Sequence, residues 1–432
     1  MSFDMVRLWR KTCLPPTPAV LRIIHHIAKN TFRECLRQPI FVILLLSTLT
    51  IIGTYPRMSM FVFREQEKLV TDGALATILI FGWITAVLCA SHSIHREIET
   101  GTVLLILSKP VNRALFIIAK IFGIVSALTV FVWISGIGAL FAVRIASDQF
   151  EIDWGVMVLY FAGIIIAMLY GAFANFRRSR SFSSSTTLSL CLIFTVLLVV
   201  VYFLPPYDFG YKWDKEHIGY STNLIAAIIL ILFAVWAMAT LATALSTQFN
   251  LVSNLTVCAI VFMVGLVPDF IYYQVIEMEL STLKAMMHFW FFGLIPFLLL
   301  FWLITVKHFH HRRQQRLSLW NVNLAFGVTL AALIIHGIVK VLTRVHLGKE
   351  TILMNHSARL LYSIKTVLAE LFHSVVPNWQ LFWMADALAK KATIPVSYLA
   401  LGASYIITFI FVFFGFALLL FYGHEVGRQT QR

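Results

Sequence analysis

The chain is 432 residues long, 59% hydrophobic and only 12% charged, with a mean hydropathy of +0.84. A soluble domain carries about a quarter charged residues, so this composition excludes a water-soluble globular enzyme and calls for a bilayer as solvent. The net charge of +14 is accounted for by bases that flank membrane spans and face anionic lipid heads, so nucleic acid is not expected as a partner.

Residues 1–39 read as a cytoplasmic N-terminal region. Within it, 18–37 are amphipathic: Val20, Ile23, Ile24, Ile27 and Ala28 share one helical face, while Arg22, Lys29, Arg33 and Arg37 reach toward head groups. An elbow helix lying on the inner leaflet fits this pattern; a plain basic flank ahead of the first span fits it equally well. No cleavable signal peptide is expected, because about 39 residues of mixed charge precede the first span.

A span needs about 20 apolar residues. Candidate stretches are 40–55, 72–91, 114–143, 156–176, 188–204, 223–246, 252–267, 286–306, 320–343 and 396–422. The expected fold is therefore all-α, a polytopic transmembrane bundle of about ten spans. Residues 40–344 hold nine of them, 345–395 form an extracytoplasmic amphipathic segment, 396–422 the last span and 423–432 a tail. Ser, Thr and Gly recur in 123–138 at a spacing that suits close helix packing. The stretch 174–194 echoes 244–262, each reading as a span, a short inner turn and a further span.

Orientation follows from the excess of bases in cytoplasmic loops. With the N-terminus inside, the inner segments hold nineteen Lys/Arg and the four short outer loops hold six. One outer loop is purely acidic (Asp148, Glu151, Asp153) and one inner loop purely basic (Arg177, Arg178, Arg180). Both termini then fall in the cytoplasm.

Catalytic chemistry is sparse. Cys13, Cys35, Cys89, Cys191 and Cys258 show no CxxC spacing, so neither disulfides nor thiolate metal sites are expected. His308, His310 and His311 sit among bases with no carboxylate, and His92 and His95 share a helix face; interfacial polar groups suffice for both sets, and no metal is expected. There is no phosphate-binding G-x-x-x-x-G-K-[ST] loop, so the chain does not hydrolyse ATP by itself, and no cofactor is expected. Ionisable groups deep in spans are nearly missing, which argues against an ion-driven carrier. The outer segment carries an amphipathic helix around Leu360, Leu361, Ile364, Val367, Leu368 and Leu371, then an aromatic-rich turn, 376–383, suited to the membrane interface. Glu350, His356, Glu370, His373 and Asp386 are the acids and bases that a membrane-embedded transferase would draw on there.

The most informative stretch is the link between the second and third spans, a coupling segment at 92–113. Acids come first (Glu97, Glu99), an apolar patch comes next (Val103 to Leu107), and bases come last (Lys109, Arg113). An apolar patch on a cytoplasmic loop has reason to exist if another protein covers it. Arg96, Glu97, Glu99, Gly101, Thr102, Ser108, Pro110, Val111, Arg113 and the downstream Lys120 resemble the cytoplasmic coupling segment of type-2 ABC transporter permeases. His424-Glu425-Val426-Gly427 is similar to the tail of that family, with His where the family often has Arg. The family core has six spans, so about four more would fall between 145 and 345.

The resemblance implies a membrane-spanning permease subunit, an exporter of the bacterial inner (plasma) membrane, coupled to a separate cytoplasmic ABC ATPase. A second permease copy or a homologous permease would complete a dimer, with membrane lipids around it. Arg96, Glu97, Glu99, Gly101, Thr102, Ser108, Lys109, Pro110, Arg113 and Lys120 would be the ATPase-coupling residues, with Glu97 and Glu99 at the solvated inner surface. A membrane-embedded transferase and a non-transporting membrane subunit of an ATP-driven machine are the alternatives.

Overall fold

A computed structural model describes residues 17–59, 66–100, 113–146, 152–203, 222–276, 376–389 and 392–422, together with positions 302, 365, 368, 369, 372 and 373. The described chain is all helical, with no strand among these residues. In order come α1 (Thr17–Arg37), α2 (Pro39–Ser59), α3 (Gln66–Ala90), a π turn (Ser91–His95), α4 (Arg96–Glu99) and α5 (Arg113–Ile145). Next are α6 (Trp154–Arg178), α7 (Phe182–Phe203), α8 (Thr222–Leu245), α9 (Leu251–Val264) and α10 (Pro268–Ile276). A 3₁₀ turn (Trp379–Phe382), α11 (Ala385–Ala389) and α12 (Val396–Tyr422) complete the set.

Eight helical stretches among the described residues are long and apolar enough to cross a membrane. They coincide with expected spans one to seven and the last. The first runs longer than its apolar stretch suggests (Pro39–Ser59), and the seventh reaches Gln274 because α10 continues α9 beyond a short turn. The stretches 286–306 and 320–343 lie outside the described residues.

The core is built around α5, which packs on α1, α2, α3, α6, α7, α8 and α12. Its best span window is 67% buried, as is that of α8, against 28% for α7 and 22% for Leu251–Gln274. The outer helices keep apolar faces (Leu169, Phe173, Leu188, Leu192, Ile260) that acyl chains can cover. The small residues of α5 set how closely its neighbours approach. A Cβ on Gly136 would stand 2.8 Å from Ile228, and one on Gly138 would stand 2.9 Å from Leu49. The hydroxyls of Ser126, Thr129 and Ser135 return to carbonyls on their own helix, so these groups are satisfied locally in an apolar medium.

Two hairpin turns are closed by local hydrogen bonds. The α6–α7 turn closes on Ser179, held in the left-handed region at φ 49°, with Ser179 N donating to Asn175 O and Arg180 N to Ala174 O. That pair of bonds satisfies the carbonyls left over at a helix end. In the α8–α9 turn, the Asn250 side chain caps Ser253 N at 2.9 Å.

The aromatic turn at 376–383 departs from expectation. Trp379 and Phe382 are buried in the main core rather than placed at a lipid interface. Trp379 N donates to Gly265 O at 3.0 Å, and a Cβ on Gly265 would stand 2.2 Å from Trp379 Nε1, so glycine alone admits the ring. His373 Nε2 and Asn378 Nδ2 both lie 2.7 Å from Asp269 Oδ1, and Asn378 N donates to the Tyr405 hydroxyl. His373 is therefore engaged in fastening this segment across α10 and α12. Asp386 is exposed on α11, while Glu350, His356 and Glu370 lie outside the described residues.

Candidate functional site

The root of the expected coupling segment is tied by a buried cation. Lys120, on the first turns of α5, is 1% exposed. Its ammonium donates to Glu97 Oε1 at 2.7 Å, to Ser93 O at 3.1 Å and to Ser93 Oγ at 3.0 Å. Glu34 Oε2 of α1 stands 3.7 Å away and accepts from Ser93 Oγ at 3.4 Å. An ammonium offers three donors, and Lys120 directs all of them at the helix that carries the segment. A buried charge persists where it is paired and hydrogen-bonded; here the partners come from three separate elements.

The π turn aims those partners. A wider turn inserts an extra residue into the α-helical register, which rotates the next turn of helix by about 100° relative to an uninterrupted one. Ser91, Ser93 and Ile94 are buried in this turn. Asn254 Nδ2 of α9 donates to Ser91 Oγ at 2.9 Å and to Ala242 O of α8 at 3.0 Å. The base of the segment is thus bonded to α1, α5 and the α8–α9 hairpin at once.

The outward face differs in character. Arg96 Nη1 donates to His92 Nε2 at 3.0 Å, His92 Nδ1 faces Glu34 Oε1 at 3.8 Å, and His95 Nε2 lies 3.0 Å from Glu99. The two histidines are therefore engaged in polar pairing at the mouth of the site. Among the described residues no group of three or more His, Cys, Asp or Glu is gathered as a metal site. His308, His310 and His311 fall outside those residues.

The expected coupling residues divide accordingly. Lys120 and Glu97 turn inward, the Glu97 side chain keeping 17% exposure, whereas Glu99 keeps 63%. Glu97 is thus largely covered rather than spread on the solvated surface, because the α5 ammonium lies directly beneath it. Arg113 opens α5. Gly101, Thr102, Ser108, Lys109 and Pro110 lie outside the described residues. Sequence reasoning missed Glu34 and Ser93. Glu34 did carry a signal, being the sole acid of α1 among Arg22, Lys29, Arg33 and Arg37; Ser93 carried none.

Comparison with known families bears on this same stretch. Residues 25–208 match the family model described as ABC-2 family transporter protein. This stretch is similar to ABC-2 family transporter proteins. It runs from α1 through α7 and contains Glu34, Ser93, Glu97 and Lys120; α8, α9 and α12 lie beyond the matched residues yet pack against it. No curated protein and no solved structure matched the chain. The family match, within a bundle of helices long and apolar enough to cross a membrane, supports a multi-pass transporter permease subunit and points to transport rather than to an enzyme.

Proposed function

We propose that this chain is the permease subunit of an ATP-binding-cassette exporter, driven by a separate cytoplasmic ATPase that docks on residues 92–113. The observation that supports this most is the Lys120 knot. A segment that merely linked two spans would have no need of a buried cation joining it to α1 and α5. Because the root is bonded to three elements, a push on the segment's tip would move α1, α3 and α5 together instead of bending a loose loop. Arg96, Glu99, Lys109 and Arg113 would present charge to the ATPase, Val103–Leu107 would supply the apolar contact, and Gly101, Thr102, Ser108 and Pro110 would shape the segment's turns. Glu97 and Lys120 would transmit force without touching the partner.

In this reading both termini face the cytoplasm of a bacterial inner membrane. The N-terminal region ends at residue 39, the membrane domain runs over 40–344, and the 345–395 segment is extracytoplasmic. The last span occupies 396–422 and the tail 423–432, with a second permease copy or a homologue completing the transporter.

The test leaves the knot intact. In the full-length chain, Glu99→Lys combined with Lys109→Glu keeps net charge constant while reversing both ends of the segment. Reversed charges at an interface cost several kcal/mol, so the ATPase that co-purifies with the unaltered chain should be lost on pull-down. Glu67→Lys, exposed at the opposite end of α3, should retain it. Retention by the reversed pair would place docking elsewhere.

A further inference from the structure

A second polar feature lies at the C-terminal end of α1. A cleft of about 780 Å³ opens between the C-terminal end of α1 and the α6–α7 turn, lined by Arg37, Arg180, Asn175, Ser181, Ser184 and Leu188 among others. Among the described residues it holds two guanidinium groups and several hydroxyls but no carboxylate. Arg177 and Arg178 precede the turn at the end of α6, and no ion pair engages any of these four arginines among the described residues. Arg37 and Arg180 are both exposed, so the recess is open to solvent and positively charged, a setting that favours entry of an anion.

The ligand class is set by the chemistry of the donors and by the surface around them. Arginine forks match phosphate oxygens, and serine hydroxyls and an asparagine amide add neutral donors. Below the cleft the surface becomes apolar: Phe173 is 53% exposed, Leu188 55% and Leu192 65%. Free phosphate would use the polar mouth and nothing else. A phospholipid would use both parts, its headgroup in the mouth and its acyl chains along α6 and α7.

We propose that this cleft is a binding site for one anionic phospholipid, with Arg37 and Arg180 holding the headgroup phosphate. The site has a consequence for α1. Arg37 stands three residues after Glu34, so the same helix end carries one side chain toward the lipid and another toward Lys120. An occupied cleft pins the end of α1 against the α6–α7 turn and holds Glu34 at the knot. The site does not depend on the ATPase reading, since binding is measurable on the isolated full-length chain.

The experiment is native mass spectrometry of the detergent-purified full-length chain, titrated with phosphatidylglycerol, phosphatidylcholine or inorganic phosphate. The unaltered chain should retain one tightly held phosphatidylglycerol and should discriminate against phosphatidylcholine. Arg37→Gln with Arg180→Gln should weaken retention by about 30-fold, from roughly one surface-cation contribution per arginine. Ser184→Asp, which keeps both arginines but puts a carboxylate in the recess, should also weaken it. Arg22→Gln with Lys29→Gln removes two exposed charges from the same helix and should leave retention unchanged. Circular dichroism and gel filtration would verify that each variant is folded. Equal retention by the arginine pair variant, or equal loss in the Arg22/Lys29 control, would overturn the site. Displacement of the lipid by millimolar inorganic phosphate would overturn the lipid assignment in favour of a free-phosphate site.

Discussion

Lys120 shows how a residue can be legible in sequence while its role is not. The coupling pattern marked it, yet spacing along a chain does not say whether an ammonium points to a partner protein or into the bundle. The structure turns it inward, onto Glu97, Ser93 and Glu34. Removing one member of a buried pair strands the other, at a cost of about 3–5 kcal/mol. Lys120→Met should therefore lower the thermal midpoint of the detergent-purified protein sharply, since it takes the closest cation from Glu97. Adding Glu97→Gln to that variant should recover part of the loss, because the remaining side chain is then neutral. A double variant less stable than Lys120→Met alone would show that Glu97 is held by something other than this ammonium.

Among elements, the apolar spans were readable because composition alone decides which stretches tolerate hydrocarbon. The π turn was not, since no residue type encodes it and its energy comes from the packing of Ser91, Ser93 and Ile94. The amphipathic face of α1 was likewise plain, but not the helix it would meet. That contact is Gly123 of α5, where a Cβ would stand 2.7 Å from Ala28 O and 2.6 Å from Thr31 Cβ. Exchanging glycine for alanine inside a helix normally gains about 0.5–1 kcal/mol. At Gly402 the nearest atom is a flexible Leu230 methyl at 3.0 Å, so Gly402→Ala should be neutral or mildly stabilising. At Gly123 the obstacle includes backbone, and overpacking costs about 1–3 kcal/mol. Gly123→Ala should therefore be net destabilising, and trypsin should reach Lys29 and Arg33 faster as α1 lifts. Equal thermal midpoints for the two variants would mean that α1 rides loosely on α5.

For the whole molecule, the order of spans was readable and their closure was not. Nothing in 376–383 distinguished an interfacial turn from a buried one; only the glycine at 265, far along the chain, makes room for Trp379. The alternation of α3, α5 and α6 brings the Lys120 knot, the α1 end and the α6–α7 turn to one end of the bundle, with the His373–Asp269 fastening reached through a different set of helix ends. Charge statistics assign the first end to the cytoplasm, and the proposed ATPase requires the same. Single cysteines at positions 180 and 370, tested with a membrane-impermeant maleimide, separate the possibilities. On intact cells position 370 should react and position 180 should stay silent until the membrane is permeabilised. Of the native thiols, Cys35, Cys89 and Cys258 are buried and Cys191 is half-buried within α7, so once Cys13 is replaced by Ser the background should be low. If position 180 reacts from outside, the knot faces away from any ATP-consuming partner. The bases at Arg177, Arg178 and Arg180 would then have crossed the membrane against the rule that governs short loops. The proposed docking role of residues 92–113 would fall with that result, while the helix packing described for α1 and α5 would stand.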